Sequence, residues 1–172
     1  MIESVLTERL RLRPMARDDV AELVGLDADP EVMQYLTGGR PTSRDEMVEV
    51  VDRNLTSRWM AFRRTDDGFV GWFGLVPSGD GEFEVGYRLK RQAWGQGLAT
   101  EGTRALIEAA FRDLVARRIW AQTMAVNRRS RRVMERCGLT YVRTFHLEWE
   151  DPIPGTEQGE VEYELLRSSW EA

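Results

Sequence analysis

The apolar positions of this chain change period several times, and each change marks an element. Leu10 and Leu12 alternate with Arg9, Arg11 and Arg13, with Leu6 in the same phase, which predicts a first strand from Leu6 ending at Pro14. Over residues 17–27, Val20, Leu23, Val24 and Leu26 recur at helical spacing. Asp29-Pro30-Glu31 then opens a short second helix carrying Val32 and Met33, because proline is well placed in a first turn. A loop, Thr37-Gly38-Gly39-Arg40-Pro41, precedes a helix that starts at Thr42 or Ser43, with Asp45 and Glu46 in its first turn, and runs to about residue 56. Strands follow at 58–64, 69–76 and 82–89, separated by the turns Asp66-Asp67-Gly68 and Pro77-Ser78-Gly79-Asp80-Gly81. Leu98, Gly102, Ala105, Leu106, Ala109 and Ala110 form one stripe of a helix of about fifteen residues. A strand from Arg118 to Val126, a short helix over 128–136 closed by Gly138, and strands at 139–147 and 160–167 complete the chain.

This order predicts a mixed α/β fold: a mostly antiparallel central sheet of about seven strands, flanked by helices. The short helix after the fifth strand would let a crevice open between the fourth and fifth strands. The 172 residues contain no repeat, linker or low-complexity tract, so residues 1–172 are expected to form a single domain. No apolar run approaches the ~20 residues that span a bilayer, so no membrane partner is expected. The first residues lack the basic and apolar regions of a signal peptide. A lone cysteine, Cys137, and a lone histidine, His146, leave neither a disulfide framework nor a Cys/His metal site. A cytoplasmic, reducing compartment is expected, and no metal.

The net charge of −5 hides an uneven distribution. Residues 88–136 carry 12 basic and 4 acidic side chains, whereas residues 145–172 carry 1 and 8. A polyanionic ligand would be drawn to the first segment, and acidic walls elsewhere would favour a cationic second substrate; the plainer alternative is that these charges cover solvated faces. Arg128-Arg129-Ser130-Arg131-Arg132 imitates a nucleic-acid patch, but the acidic net charge argues against a nucleic-acid partner.

The basic segment holds the most informative stretch of the chain. The strand ending in Tyr87-Arg88-Leu89 leads into Gln92-Ala93-Trp94-Gly95-Gln96-Gly97, and a helix begins at Leu98-Ala99-Thr100. Such a turn gathers backbone N–H groups and the positive end of a helix around one point, which suits a phosphate. Side chains at positions 95 and 97 would block close approach of the backbone to a ligand. The dinucleotide fingerprint fails at Thr100, where a third glycine is required, and no Gly-Lys-Ser/Thr follows for a P-loop. A bare Gly-x-Gly is also compatible with a simple strand-to-helix turn.

Three blocks together resemble the GCN5-related N-acetyltransferase superfamily, and within it the branch that acetylates ribosomal-protein N-termini (RimJ/RimL-like). They are Thr7-Glu8-Arg9-Leu10-Arg11-Leu12-Arg13-Pro14 with Asp29-Pro30-Glu31-Val32-Met33, then Glu84 through Glu101, and then Asn127-x-x-Ser130 with Met134 through Leu139 and Val161-Glu162-Tyr163-Glu164-Leu165. The resemblance implies acetyl-CoA as co-substrate and a small-molecule or peptide amine as acceptor, joined in one ternary complex, and it allows a homodimer. Backbone groups of Tyr87, Arg88 and Leu89 would pair with the pantetheine arm. Those of Gln92, Ala93, Trp94, Gly95, Gln96 and Gly97, with the helix start at Leu98, Ala99 and Thr100, would hold the pyrophosphate. Asn127, Ser130 and Arg131 would complete the cofactor site.

For catalysis the resemblance implies a base for the amine, with Glu84 as first candidate and Glu82 as second, and an acid for the departing thiolate. The family's usual tyrosine, seven residues after the asparagine, is Met134 here, so Ser130 takes the acid role. Glu84 also reads as a solvated strand residue, and Ser130 as a helix-start residue. A binding module for CoA or acyl-CoA, without transfer, is the alternative function.

Overall fold

The computed structural model describes residues 2–171, which form an eight-stranded sheet with helices packed on both faces. The strands are β1 (Val5–Leu6), β2 (Leu10–Pro14), β3 (Arg58–Arg63), β4 (Phe69–Gly79), β5 (Glu82–Leu89), β6 (Arg118–Met124), β7 (Thr140–Phe145) and β8 (Glu160–Leu166). They lie in the order β1-β2-β3-β4-β5-β6-β8-β7. The helices are α1 (Val20–Asp27), α2 (Gln34–Thr37), α3 (Arg44–Asn54), α4 (Leu98–Asp113), α5 (Arg128–Arg136) and α6 (Arg167–Trp170).

Period-two alternation divides the core between the two faces. On β4, Phe73 and Leu75 pack with Leu98, Leu106 and Phe111 of α4, while Trp72 points to the opposite side. That opposite cluster joins Val20, Leu23 and Leu26 of α1 to Met47 and Val51 of α3 and to Met60 of β3. Burying each such side chain stabilises the fold by ~1.5–3 kcal/mol. Ser43 caps α3, its Oγ accepting from the Glu46 amide at 3.2 Å while Glu46 Oε2 accepts from the Ser43 amide at 2.8 Å.

Every strand pairing is antiparallel except β5 with β6, where α4 carries the chain back to run in the same direction. That parallel pairing lasts for three positions, Glu82↔Arg118, Phe83↔Ile119 and Glu84↔Trp120. Beyond them β5 stays with β4 to Leu89, and β6 stays with β8 to Met124. Each strand follows its antiparallel neighbour, and the crevice expected between the predicted strands 82–89 and 118–126, now β5 and β6, opens here.

Several boundaries differ from the sequence pattern. The expected first strand is two strands, β1 and β2, folded on each other with Val5 opposite Leu12. The carboxylate of Glu101 on α4 captures the bend, accepting from Thr7 Oγ1 at 2.5 Å, the Arg9 amide at 2.8 Å and Arg9 Nε at 2.6 Å. The second helix starts at Gln34 and not at Pro30, because Asp29 Oδ1 accepts from the Glu31 amide at 3.0 Å in a local turn. β4 runs past Pro77 to Gly79 through a register shift, and the terminal residues Arg167–Trp170 turn into a helix.

The packing of α4 on the sheet depends on Gly102, where an added Cβ would sit 2.3–2.7 Å from the buried Phe73 ring. Gly25, inside α1, faces nothing within 4 Å. Gly102→Ala is therefore expected to lower unfolding free energy by about 1–3 kcal/mol through overpacking, against its helix-propensity gain. Gly25→Ala is expected to raise it by about 0.5–1 kcal/mol. Urea denaturation of both variants checks the opposite signs.

Candidate active site

The turn between β5 and α4 presents its backbone donors outward. Arg91–Ala93 make one 3-10 turn, Gly95 and Gly97 sit at φ 71° and 76°, and Gly97 is the residue from which α4 begins. A Cβ at Gly95 would meet nothing within 4 Å, and one at Gly97 only the Arg9 guanidinium at 3.4 Å. Among the described residues, the amides of residues 95–100 donate to no protein acceptor; the first helical bond runs from the Glu101 amide to the Gly97 carbonyl at 3.0 Å. The carbonyls and side chains of the turn are tied from behind. Arg9 Nη1 donates to the Gln96 carbonyl at 2.7 Å, Gln96 Nε2 to the Gln92 carbonyl at 2.7 Å, Arg63 Nη1 to Gln96 Oε1 at 3.1 Å, and Trp94 Nε1 to the Leu89 carbonyl at 3.0 Å. The result is an open cradle of amides at a helix start, suited to an anion. Leu89, Ala93 and Leu98 bury their side chains in the core and Ala99 packs against it, so these positions offer only backbone to a ligand.

Across the crevice, α5 supplies one half of a hydroxyl pair. Tyr87 Oη donates to Ser130 Oγ at 3.0 Å, linking β5 to α5. Burial pushes the Tyr87 phenol up to about 12, with the Ser130 hydrogen bond working against that rise, so it stays protonated. Sequence reasoning placed only the backbone of Tyr87 at the site; its side chain shares the phase of Val85 and Leu89, which is the signal that could have found it. Met134 is 5% exposed and belongs to the core. Asn127 caps α5, its Oδ1 accepting from the Ser130 amide at 3.3 Å while Nδ2 donates to Thr123 Oγ1 at 3.1 Å. Arg131 turns inward, to Tyr163 Oη at 3.1 Å and the Ala125 carbonyl at 3.0 Å. Its neighbour Arg129 instead lies over the Trp94 ring at 4.9 Å, joining α5 to the turn.

The other face of the split is polar and partly closed. Glu84 stands at the last paired position of β5 and β6. Burial raises its carboxyl above the ordinary 4.5, with the charge of Arg58 pulling the other way. Glu82, by contrast, is engaged with Arg118 at 3.0 Å. The Arg88 side chain points to this face, where Nη1 donates to the buried Asp27 carboxylate at 2.7 and 2.8 Å. Gly74 and Gly86 are paired opposite each other between these residues, and a Cβ at Gly86 would meet nothing within 4 Å. The C-terminal acidic segment is not a free wall here. Arg118 also holds Glu162 at 2.5 Å and Glu164 at 2.7 Å, and Arg143 holds Glu162 at 2.8 Å.

The crevice is an open groove. Two hollows of about 550 and 530 Å³ lie outside it, one between α5 and β7 near Arg131 and Tyr141, the other beside Gly97, Thr100 and Arg104. No helix among the described residues is long and apolar enough to cross a membrane. Among the same residues, no group of three or more His, Cys, Asp or Glu side chains is placed to hold a metal ion.

Comparison with known proteins agrees with this geometry. Residues 9–140 match the model of the acetyltransferase (GNAT) domain, and the chain belongs to that family. It is 37% identical, over 95% of its length and 76% of the relative's, to the FsC-acetyl coenzyme A-N(2)-transacetylase of Aspergillus fumigatus. Among solved structures it resembles the spermidine N-acetyltransferase of Vibrio cholerae in complex with CoA and spermine. That match has a TM-score of 0.82 and 19% identity, covering 96% of this chain and 100% of the other. It also resembles RimL, a ribosomal-protein alpha-N-acetyltransferase in complex with coenzyme A, with a TM-score of 0.81 and 19% identity over 97% and 99% of the two chains.

The Glu101 clamp makes the cradle sensitive to acid. Burial would raise the Glu101 carboxyl, but hydrogen bonds from Thr7 and Arg9 and the charge of Arg9 outweigh it and hold it below 4.5. A depressed carboxyl stabilises the fold above its unfolded value, and that contribution is lost as pH falls through the folded one. Urea midpoints followed from neutral pH to below 4.5 should therefore drop more steeply for the native chain than for Glu101→Gln, with the two curves converging at the acid end.

Proposed function

We propose that this member of the acetyltransferase (GNAT) domain family moves the acetyl group of acetyl-CoA directly onto a primary amine, within one ternary complex. The observation that carries the reading is the pair of groups on opposite sides of the split. Glu84 stands at its vertex on one face, and the Tyr87–Ser130 hydroxyl pair bridges β5 and α5 on the other. The free amides of residues 95–100 suit the pyrophosphate of CoA, and the edge of β5 left unpaired beyond Glu84 suits the amides of its pantetheine arm. Ser130 and the Asn127 side chain stand beside that arm, while Arg129, stacked on Trp94, is better placed than Arg131 for a phosphate.

Proximity supplies much of the rate. Glu84, its carboxyl raised by burial and so made a stronger base, takes the proton that the amine must lose. The amine nitrogen bonds to the thioester carbon, and a backbone N–H of residues 87–89 donates to the oxyanion that forms. As the carbonyl reforms, the C–S bond breaks and the thiolate takes the Ser130 hydroxyl proton; Tyr87 Oη reprotonates Ser130 through its 3.0 Å hydrogen bond, and the second proton lost by the amine nitrogen returns to the phenol through water. Ser130 thus stands in for the acid that Met134 cannot be. The acceptor class is supported by the relatives, whose names specify an N(2)-transacetylase, a spermidine N-acetyltransferase and a protein alpha-N-acetyltransferase.

Two measurements test the reading. Thiol release with an amine panel should show kcat/KM rising with pH through a value above 4.5 as Glu84 loses its proton. Glu84→Gln should abolish that limb and lower kcat by about 10²–10⁴-fold; an unchanged profile would remove Glu84 from the mechanism. The left-handed position of Gly97 costs a β-branched residue about 1–3 kcal/mol. Gly97→Val should therefore weaken acetyl-CoA binding about tenfold in calorimetry, and undiminished affinity would place the cofactor elsewhere.

A further inference from the structure

The face of the sheet that carries Glu84 also carries a cation without a counter-ion. Arg58, at the start of β3, lies over Trp72 with its guanidinium carbon 4.2 Å from the ring centroid. None of its nitrogens donates to a protein acceptor among the described residues, and its Nε is screened from solvent. Other part-buried arginines behave differently: Arg13, Arg118, Arg131 and Arg167 each reach an acceptor. Asp27 and Glu84 attract Arg58 through space but neither pairs with it, while Arg88 and Arg53 repel it. Burial and this repulsion push the guanidinium down to about 10. A partly desolvated cation with a buried Nε and no protein carboxylate paired to it is poorly compensated, and an anionic ligand reaching its Nη groups would complete it.

The surroundings give that ligand a shape. Arg58 pairs across the sheet with Gly74, which pairs with Gly86, and Glu84 lies two residues along β5 on the same face. The row from Arg58 to Gly86 is therefore floored by glycines, with open space above Gly86. The Trp72 ring covers one side of the guanidinium. Arg88 adds a second guanidinium 5.3 Å from the same ring; Asp27 engages its Nη1 and leaves its Nε without a partner. A molecule lying along this floor meets Glu84 at one end and two cations at the other.

We propose that Arg58, assisted by Arg88, receives a carboxylate on the acceptor, so that the preferred substrates are amines that also carry a carboxylate: amino acids and their longer-chain homologues. The inference rests on the amine-transfer reading and adds to it the half of the substrate that does not react. The bidentate fork of arginine suits a carboxylate, and the small apolar floor admits a short chain between the two charged ends. Glu84 then faces the ammonium of the zwitterion, where it can take the proton.

The test uses the intact chain saturated with CoA, so that binding is read without turnover. β-Alanine and γ-aminobutyrate are titrated by calorimetry beside their methyl esters and propylamine. The acids should bind at least about tenfold more tightly than the esters. Arg58→Gln should erase that difference while leaving CoA affinity unchanged, which also shows that the variant folds, and Arg58→Lys should keep part of it. Acids and esters binding alike, acids failing to bind, or Arg58→Gln retaining the preference would each overturn the proposal. Thiol release separates this from the parent reading. Arg58-dependent binding of the acids with no amine acetylated leaves the carboxylate site standing and sinks the transfer. Acetylation of amines without regard to a carboxylate does the reverse.

Discussion

Two central strands that run parallel for three positions and then part leave unpaired backbone in the middle of a sheet, and the rest of the site is arranged around that gap. Buried peptide groups need partners, and in this fold neither β5 nor β6 supplies them to the other beyond Glu84 and Trp120. Antiparallel neighbours keep the two strands rigid while they diverge, so the opening does not rely on a mobile loop. The turn after β5 adds six more free amides at the start of α4. A ligand rich in amides and phosphates, as proposed for this site, would satisfy both sets at once. A protein side chain filling the same gap would satisfy only a fraction of them.

Charge on the two faces follows a different logic. On most of the sheet, acids and bases neutralise each other locally, as in the cluster of Glu82, Glu162 and Glu164 around Arg118. In Glu162 the cost of burial is more than offset by hydrogen bonds from Arg143 and Arg118, which hold its carboxyl low. Glu162 and Glu164 of the acidic C-terminal segment therefore brace the sheet through Arg118 and Arg143. Where the strands part, several groups stay uncompensated: Glu84 on one side, the amides of the turn on the other, and Arg58 beside Trp72. Local incompleteness, more than net charge, marks the proposed reacting region.

The helical stripe of α4, the caps at Ser43 and Gly138, and the alternation of β3 to β6 could be read from the chain because each depends on near neighbours. The turn at Gly95 and Gly97 was legible for the same reason: its chemistry is backbone chemistry set by glycine. The fold of β1 onto β2 was not, since what bends the chain at Thr7 and Arg9 is a carboxylate more than ninety positions away. Arg131 and Arg129 have similar sequence surroundings, yet one serves Tyr163 and the other Trp94, because helix phase and tertiary contact sort them. Ser130 was singled out by the family resemblance; the phase of Tyr87 puts its side chain on the face of Val85 and Leu89, but its pairing with Ser130 could not be read, because the bond spans forty-three positions. Arg58 gave no local signal: an arginine at the head of a strand is ordinary until its lack of partners is seen.

The tie from Arg9 to Glu101 and Gln96 makes the beginning of the chain part of the anion cradle. The turn is thus held in its receiving shape by folding itself, and ordering it need not be drawn from the energy of the incoming molecule. The leading hairpin becomes a remote governor of affinity. A lesion, a fused tag or a trimmed end near Thr7 would look, in an assay, like damage to the phosphate loop, although no atom of that loop had been altered.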